Sequence, residues 1–255
     1  MFIGPSIRLR GGLRDDGLPL AAPVIRFADN FSRYEMDVVP MYIPNVKLNP
    51  QEIPPGINYA GPSGYKLVQL PNGDILCVMS GQFTGDTNRR VLITRSSDQG
   101  RTWSYHASVA YEPENPNPDL PGQYLGYAEP TIEMMKNGQM ICVMRTQYSH
   151  LAGEYRSLHV SWSDDLGKTW TKPVATNPPL MSIHPTLLVL DNGVVACTYG
   201  RPGFHIAFSL DNGHTWQDRV SFSHLPEPVM TGQVHGVTVG RNKLVVIGGM
   251  AGAGG

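Results

Sequence analysis

One eight-residue signature, Ser-x-Asp-x-Gly-x-Thr-Trp, occurs three times in this chain of 255 residues. The copies lie at residues 96–103, 163–170 and 209–216, with the same five residue types at the same five positions. Chance does not produce three such matches in one chain, so the sequence is built from repeats. A repeat of this size cannot bury its apolar face alone, and neighbouring copies must therefore pack against each other.

Each signature lies near the end of a larger unit of about 50 residues, and these units share a common pattern. Two short apolar runs flank an Asn-Gly pair at residues 72–73, 137–138 and 192–193, and a weaker copy lies at residues 236–247. Asn-Gly accepts the positive φ angles of a tight hairpin turn. The unit is therefore predicted as strand A, turn, strand B, loop, strand C, signature turn and strand D, which is one blade of a β-propeller.

The three cysteines support this alignment of the repeats. Cys77, Cys142 and Cys197 each lie five residues after the Asn of their turn. Cysteines at one equivalent position belong to separate blades and are predicted as small buried apolar residues. No Cys-x-x-Cys pair occurs, so the sequence predicts neither a disulfide nor a metal site.

Charge and hydropathy exclude several classes of function. The formal net charge is −1 and the pI is about 6.7, which leaves no basic field for nucleic acid. No apolar run approaches the length of a membrane span. The first residues lack the long apolar stretch of a signal peptide, so none is visible in this chain.

The signature is the Asp-box, and with it the chain resembles the sialidase (neuraminidase) superfamily over roughly residues 64–250. The resemblance implies an all-β fold, a six-bladed β-propeller of four-stranded antiparallel blades. Residues 61–255 supply three full blades and half of a fourth, so we expect the chain to be a fragment cut at its C-terminal side. Residues 1–60 have no Asp-box; they contain candidate strands at 24–27 and 36–39, and their structure, including part of a blade, is left open.

Strand direction divides the predicted disc into two faces. Strands A and C both run toward the face that carries the Asn-Gly turns and the Asp-boxes. An Asp in such a turn accepts backbone N–H groups of the same turn, and the Trp packs between sheets. These residues are therefore predicted to be structural: Asp98, Asp165, Asp211, Trp103, Trp170 and Trp216.

The opposite face, around the central channel, holds the candidate site. Eight residues before the turn Asn lie Gly64, Glu129, His184 and Val234. Eight or nine residues after it lie Ser80, Arg145, Arg201 and Met250. Glu129 and Arg145 flank the open end of one hairpin, so we expect them to be neighbours at the channel mouth.

These residues also have structural interpretations. Without the family resemblance, an ordinary ion pair that closes a hairpin is the favoured explanation of Glu129 and Arg145. Asp86 is equally well explained as a residue that shapes a Gly-Asp turn. A single His such as His184 is more often a core residue with satisfied hydrogen bonds. Arg201 precedes Pro-Gly and fits a tight turn.

The resemblance implies a chemistry for the same face. In sialidases three arginines bind the substrate carboxylate, an Asp in the first B–C loop acts as acid/base, and a Tyr activated by a Glu is the nucleophile. Residues 127–145 resemble the blade that carries this Glu and one of the arginines. The implied catalytic residues are Asp86 and Glu129. The implied substrate-binding residues are Arg145, Arg201, His184, Arg89, Arg156 and Tyr148.

Two positions depart from the family pattern. Ser63 stands where the first arginine belongs, and Lys66 is a poor geometric substitute for it. Residues 232–236, where a strand A begins, contain no Tyr. The nucleophile lies in a missing blade, or this member does not use one.

We expect a sialidase-like exo-glycosidase that removes a terminal sugar, with an acidic sugar favoured, from a glycan or glycoconjugate without a cofactor or metal. The alternative is a sialidase-like propeller that binds glycan or protein without hydrolysis. Other Asp-box propellers, such as xyloglucan-cleaving enzymes, sorting receptors and photosystem assembly factors, resemble the Glu-Pro-Thr-Ile…Arg segment less. The family resemblance favours a secreted or periplasmic location.

Overall fold

The computed structural model describes residues 20–28, 32–44, 63–116, 119, 122–148, 156–181, 183–200, 203–221 and 234–248. Every regular element in these ranges is a β-strand, and within them no helix is long and apolar enough to cross a membrane. The strands, numbered in chain order, are β1 (Leu20–Phe27), β2 (Tyr34–Tyr42), β3 (Ser63–Gln69), β4 (Ile75–Gly81), β5 (Arg90–Ser96), β6 (Trp103–Ala110), β7 (Tyr124–Met134), β8 (Met140–Tyr148), β9 (His159–Ser163), β10 (Val174–Ala175), β11 (Ile183–Val189), β12 (Val195–Gly200), β13 (Phe204–Ser209), β14 (Gln217–Ser221), β15 (Val234–Thr238) and β16 (Leu244–Gly248).

The strands form three four-stranded antiparallel blades and a half blade. Blade 1 is β3–β6, blade 2 is β7–β10, blade 3 is β11–β14, and β15 pairs with β16. Each Asn-Gly pair closes a hairpin, with Gly73, Gly138 and Gly193 at φ angles of 89°, 86° and 88°. The all-β fold with the blades of an incomplete propeller is thereby confirmed. The predicted boundary between residues 60 and 61 lies outside the described residues and stays a prediction.

The N-terminal strands β1 and β2 form an antiparallel hairpin that joins blade 1. The hairpin contacts the blade through a short parallel pairing of Met41 with Trp103 and Tyr42 with Ser104. The candidate strands at 24–27 and 36–39 lie inside β1 and β2 and are confirmed. Their place beside β6 was not predicted, because a parallel pairing of two residue pairs leaves no local sequence signal.

The apolar core lies between successive blades. Cys142 packs in the core that joins blade 2 to blade 1, and Cys197 packs in the core that joins blade 3 to blade 2. Cys77, at the equivalent position of blade 1, packs instead against Ala22 and Met41 of the N-terminal hairpin. The side chains of all three cysteines are buried, as predicted. The hairpin therefore covers the side of blade 1 that a preceding blade covers in blades 2 and 3.

The Asp-box carboxylates are held inside their own turns. Asp165 Oδ1 accepts hydrogen bonds from the Lys168 amide at 3.0 Å and the Thr169 amide at 2.8 Å, and Oδ2 accepts one from Thr169 Oγ1 at 2.7 Å. These bonds, led by that from the Thr169 amide, lower the pKa of Asp165 to about 2. At Asp98 burial raises the pKa, but the bonds from Thr102 and others outweigh it and bring the pKa to about 2.

The Asp-box turns also receive side chains from the preceding unit of the fold. The carbonyl of the fourth residue of each box, which has a φ angle near 60°, accepts a hydrogen bond at 2.8–3.1 Å. The pairs are Arg26 with Gln99, His106 with Leu166, and Trp162 with Asn212. The Asp-box tryptophans lie in the cores between sheets, where Trp103 and Trp216 are fully buried and Trp170 is partly buried. These contacts tie the turn face of each blade to its neighbour.

Candidate functional site

Glu129 and Arg145 lie side by side at the open end of the β7–β8 hairpin, as their spacing predicts. Ala128 pairs with Arg145, and the register then shifts before Thr131, which leaves Glu129 in an irregular stretch. Arg145 Nη1 donates a hydrogen bond to Glu129 Oε1 at 3.0 Å. The two side chains are 13% and 14% exposed. The pair is thus mostly buried but still open to solvent at one edge.

His184 from blade 3 completes a cluster around the same carboxylate. Its backbone amide donates to Glu129 Oε2 at 3.0 Å, and its Nε2 lies 3.3 Å from Glu129 Oε1. Glu129 thereby receives contacts from its own blade through Arg145 and from the next blade through His184. Its two oxygens are held in a defined orientation, which is a requirement of both binding and catalytic carboxylates.

Glu129 and His184 share an unusual backbone conformation. Their φ angles are +49° and +45°, each precedes a proline, and each lies where its hairpin register shifts. A left-handed conformation at a residue other than glycine costs about 1–3 kcal/mol, and such residues are concentrated at functional sites. The same strain therefore recurs at equivalent positions of two adjacent blades, near the open end of each hairpin.

Arg145 keeps unused hydrogen-bonding capacity. Its Nη1 is the guanidinium atom that bonds Glu129, and its Nε is buried with no hydrogen-bond partner among the described residues. A guanidinium has five N–H donors, and a buried donor without a partner is costly. The remaining Nη donors of the guanidinium are the atoms that could bond a ligand oxygen. The cluster can therefore bind an anionic or hydroxylated ligand without first dismantling the Arg145–Glu129 pair.

A second polar layer lies farther along the inner strands. Lys66 of blade 1 pairs with Glu133 of β7, and its Nζ donates to the Leu187 carbonyl of blade 3 at 2.6 Å. Thr131 Oγ1 accepts a hydrogen bond from the Leu187 amide at 3.2 Å. Lys66 is therefore engaged by blades 2 and 3 and does not replace the arginine that the family has near Ser63.

Asp86 is held by its own loop. Its carboxylate accepts bonds from the Phe83 amide at 2.7 Å and from Arg90 Nε at 2.6 Å, with a second bond from Arg90 Nη2. Arg90 in turn lies between two rings, 4.1 Å from the Phe83 centroid and 4.4 Å from that of Tyr111. These contacts favour the interpretation of Asp86 as a residue that shapes the loop.

The lowered pKa of Asp86 supports the same structural interpretation. Burial raises its pKa, but the Arg90 and Phe83 hydrogen bonds outweigh burial, and the pKa lies below the ordinary value. A carboxyl group with a lowered pKa remains ionised near neutral pH and does not carry the proton that a general acid must donate. A catalytic role for Asp86 stays a prediction.

The loop that carries Asp86 is attached to the strand that carries Glu129. The Arg89 amide donates to the Leu125 carbonyl at 3.0 Å, and the Tyr127 amide donates to the Arg89 carbonyl at 3.1 Å. Gly126 lies between these bonds, and a Cβ atom there would be 2.2 Å from the Arg89 carbonyl oxygen. Arg89 is thereby placed beside β7 through its backbone.

Tyr148 and Arg156 lie at the end of β8 and beyond it. The Tyr148 ring is buried against Tyr124, with 5.4 Å between the ring centroids, and Arg156 Cζ lies 5.4 Å from the Tyr148 centroid. Burial raises the pKa of Tyr148 above its ordinary value. Arg201 and the loop residues 149–155 lie outside the described residues.

Sequence reasoning missed two partners in this region. Arg90 follows Asp86 by four residues, and Glu133 follows Glu129 by four residues. Opposite charges within one loop were a usable signal for Arg90. Glu133 pairs with Lys66 of another blade, and no local signal indicates such a pairing. No group of three His, Cys, Asp or Glu side chains in the described ranges is arranged to hold a metal ion.

Comparison with known proteins gives matches to one sequence family and to several solved structures. The family is described as the BNR repeat-like domain, and the match covers residues 45–240. A protein of unknown function from Dyadobacter fermentans is 19% identical, with a TM-score of 0.61 over 96% of this chain and 62% of that chain. None of the curated proteins matches the chain significantly.

Two further solved structures are glycosidases by their descriptions. The NanB sialidase from Streptococcus pneumoniae is 13% identical, with a TM-score of 0.57 over 89% of this chain and 32% of that chain. The alpha-L-arabinofuranosidase Arb93A from Fusarium graminearum is 15% identical, with a TM-score of 0.53 over 72% of this chain and 55% of that chain. This chain therefore spans less than two thirds of the length of the three structures.

Identities this low show a shared fold and leave the activity of the chain open. The family match is stronger, because it covers most of the chain and includes all three Asp-boxes. In each of the three blades, neighbouring strands pair in the order A, B, C and D that the Asp-box repeat predicts. On these grounds the chain belongs to the BNR repeat-like domain family, within the sialidase-like superfamily of β-propellers.

Proposed function

We propose that this protein is a glycosidase that removes a terminal sugar, with an acidic sugar favoured, from a glycan at the channel mouth. The observation that carries the proposal is the Glu129–Arg145 pair, mostly buried and held at the open end of one hairpin. A carboxylate and a guanidinium in contact offer both an acid–base group and a fork for a sugar carboxylate.

Each residue of the cluster has a separate role in this proposal. Arg145 binds the sugar carboxylate through donors that do not contact Glu129, and Arg201, one residue beyond the corresponding position of blade 3 in the sequence, provides a second fork. Glu129 acts at the anomeric carbon, where positive charge develops as the glycosidic bond breaks. Arg89, Arg156 and Tyr148 at the rim are proposed to contact more distant parts of the glycan.

The comparisons support the class of ligand. A sialidase and an arabinofuranosidase share this fold, and both descriptions refer to enzymes that act on glycosides. The preference for an acidic sugar rests on Arg145, because an arginine fork suits a carboxylate better than a neutral hydroxyl group.

Calorimetric titration with sialic acid, a uronic acid and neutral sugars tests the binding step. The Arg145→Ala variant should lose selective binding of the acidic sugar by about 10- to 100-fold, since a hydrogen bond to a charged group contributes about 1.5–3 kcal/mol. Arg95→Ala is the matched control, because Arg95 pairs with Asp74 beside the Asn-Gly turn of blade 1. Equal binding by the two variants would show that Arg145 does not bind the sugar carboxylate.

Release of a chromophore from aryl glycosides of the same sugars tests the chemical step. Glu129→Gln should lower turnover at least about 100-fold, because it removes the negative charge that the carboxylate places at the anomeric carbon and leaves the shape of the side chain. A melting temperature within about 2 °C of the wild type would separate this effect from unfolding.

A second function is favoured by the contacts of Asp86. Because Arg90 holds this carboxylate and lowers its pKa, the acid/base group of the family scheme is engaged, and Ser63 replaces one of the family's arginines. A propeller that binds acidic glycans without cleaving them fits these two facts. Selective binding with no chromophore release by the wild type would establish it.

A further inference from the structure

We propose that His184 and Glu129 form an acid–base dyad in which the imidazole of His184 is the proton-transferring group of the site. This inference rests on the proposed function and deepens it. The family scheme assigns proton transfer to an Asp of the first loop, whereas the dyad assigns it to a histidine on the first strand of blade 3.

The contacts around Glu129 support a dyad with defined geometry. The His184 amide holds Oε2 at 3.0 Å, so Oε1 is directed to His184 Nε2 at 3.3 Å and to Arg145 Nη1 at 3.0 Å. His184 Nε2 and Glu129 Oε1 lie within ion-pair distance, and a carboxylate at one imidazole nitrogen favours the proton on that nitrogen and leaves the other nitrogen for proton exchange. In this arrangement the exchanging atom is His184 Nδ1.

Exposure and backbone strain agree with this assignment. The His184 side chain is 27% exposed against 14% for Glu129, so the imidazole is the more accessible of the two groups. Both residues have left-handed φ angles at equivalent positions of adjacent blades. The bulged backbone brings an amide and an imidazole of one residue onto the two oxygens of a single carboxylate.

The other candidate for proton transfer is poorly suited to it. Asp86 is 7% exposed and accepts two bonds from Arg90. Arg145 of β8 is a charged side chain that contacts the dyad, through its bond to Glu129. Lys66 and Glu133 form a separate pair farther along β7.

The proton balance of the proposed step is simple. Protonated His184 gives its proton to the glycosidic oxygen, and this oxygen keeps the electron pair of the breaking bond to the anomeric carbon. Water then forms a bond to the anomeric carbon and loses one proton to the imidazole. The products are the free sugar and the shortened glycan, and His184 returns to its starting protonation state.

Two measurements on His184→Asn test the catalytic part. Asparagine accepts the left-handed conformation, so the blade should keep its fold. We expect turnover to fall at least about 100-fold and one limb of the pH–rate profile to disappear, while binding of the acidic sugar changes less than about threefold. Unchanged turnover, or an equal loss of binding and turnover, would overturn the assignment.

A spectroscopic readout tests the dyad without relying on activity. The ¹⁵N chemical shifts of the His184 ring report which nitrogen carries the proton. They should show it on Nε2 in the wild type and should change in Glu129→Ala. The control Asp164→Ala removes a carboxylate that bonds Gln139 on the Asp-box face and should leave them unchanged. Shifts that are the same in all three proteins would refute the dyad, whereas a wild type without turnover but with the expected shifts would refute the hydrolase alone.

Discussion

Replacing Gly126 with alanine would place a methyl group 2.2 Å from the carbonyl oxygen and 2.5 Å from the backbone nitrogen of Arg89. Both atoms belong to the backbone, so no side-chain rotation relieves the contact. Gly126 also has a φ angle of +95°, which an alanine adopts poorly. The substitution should therefore separate the first B–C loop from β7.

The expected loss has two parts. A left-handed conformation costs alanine about 1–2 kcal/mol. Separation of the strands also breaks the Arg89–Leu125 and Tyr127–Arg89 backbone bonds, each worth about 0.5–1.5 kcal/mol. Together they lower the free energy of unfolding by about 2–5 kcal/mol, a large part of the total for a domain.

Gly138→Ala is the matched control for this prediction. Gly138 has a φ angle of +86° in the turn of the same hairpin, and a Cβ atom added there would meet no other atom within 4 Å. It should lose the conformational part alone, about 1–2 kcal/mol. Urea unfolding with unchanged m-values measures both losses. If the two variants lost the same amount, the close approach of Arg89 would not matter to stability.

Three other predictions concern groups outside the candidate site. Asp165→Ala should lower the free energy of unfolding by about 0.5–1.5 kcal/mol, because it removes exposed hydrogen bonds to the turn amides, and it should leave sugar binding unchanged in the calorimeter. Because the pKa values of Asp98 and Asp165 lie at about 2 in the folded state, below the ordinary 3.8, their stabilisation is complete above pH about 4 and is lost as the pH falls toward 2. The fall in melting temperature over this range should be smaller in the Asp98→Asn/Asp165→Asn double variant. The thiols of Cys77, Cys142 and Cys197 are buried, and burial raises the pKa of the latter two. A thiol reagent should therefore modify the three cysteines only at the rate at which the protein unfolds. Rapid modification of the native protein would contradict their place in the cores.

The blades could be predicted because their signals are local. An Asn-Gly pair between apolar runs specifies a tight hairpin through the φ angles of its own residues. The Asp-box specifies its turn through bonds between residues two to four positions apart, such as Asp165 with Thr169. Both signals survive in one sequence without any knowledge of the tertiary contacts.

The candidate site could be predicted in part. Glu129 and Arg145 lie at equal distances from the Asn of one turn, so antiparallel pairing brings them together whatever the rest of the fold does. The contact of His184 with the same carboxylate joins residues 55 positions apart. It depends on how blade 3 packs against blade 2, and spacing within one hairpin does not contain that information.

Partners of charged residues were the hardest part to predict. The pairing of Asp86 with Arg90, which lies between two aromatic rings, is such a case. Lys66 was compared with a missing arginine, yet it reaches Glu133 of the next blade. A long charged side chain has several partners within reach, and the packing around it decides which one it binds.

The sequence by itself determined the repeat, the order of strands within each blade and the face on which each turn lies, because these follow from hydrogen bonds and turn conformations within a few residues. Only the tertiary structure decided what lies between the blades: the N-terminal hairpin against Cys77, the approach of Arg89 to Gly126, and the meeting of His184 with Glu129. These contacts depend on the packing of whole sheets against each other. A small rotation of one sheet moves a side chain by the length of a hydrogen bond, and no local pattern in the chain records it.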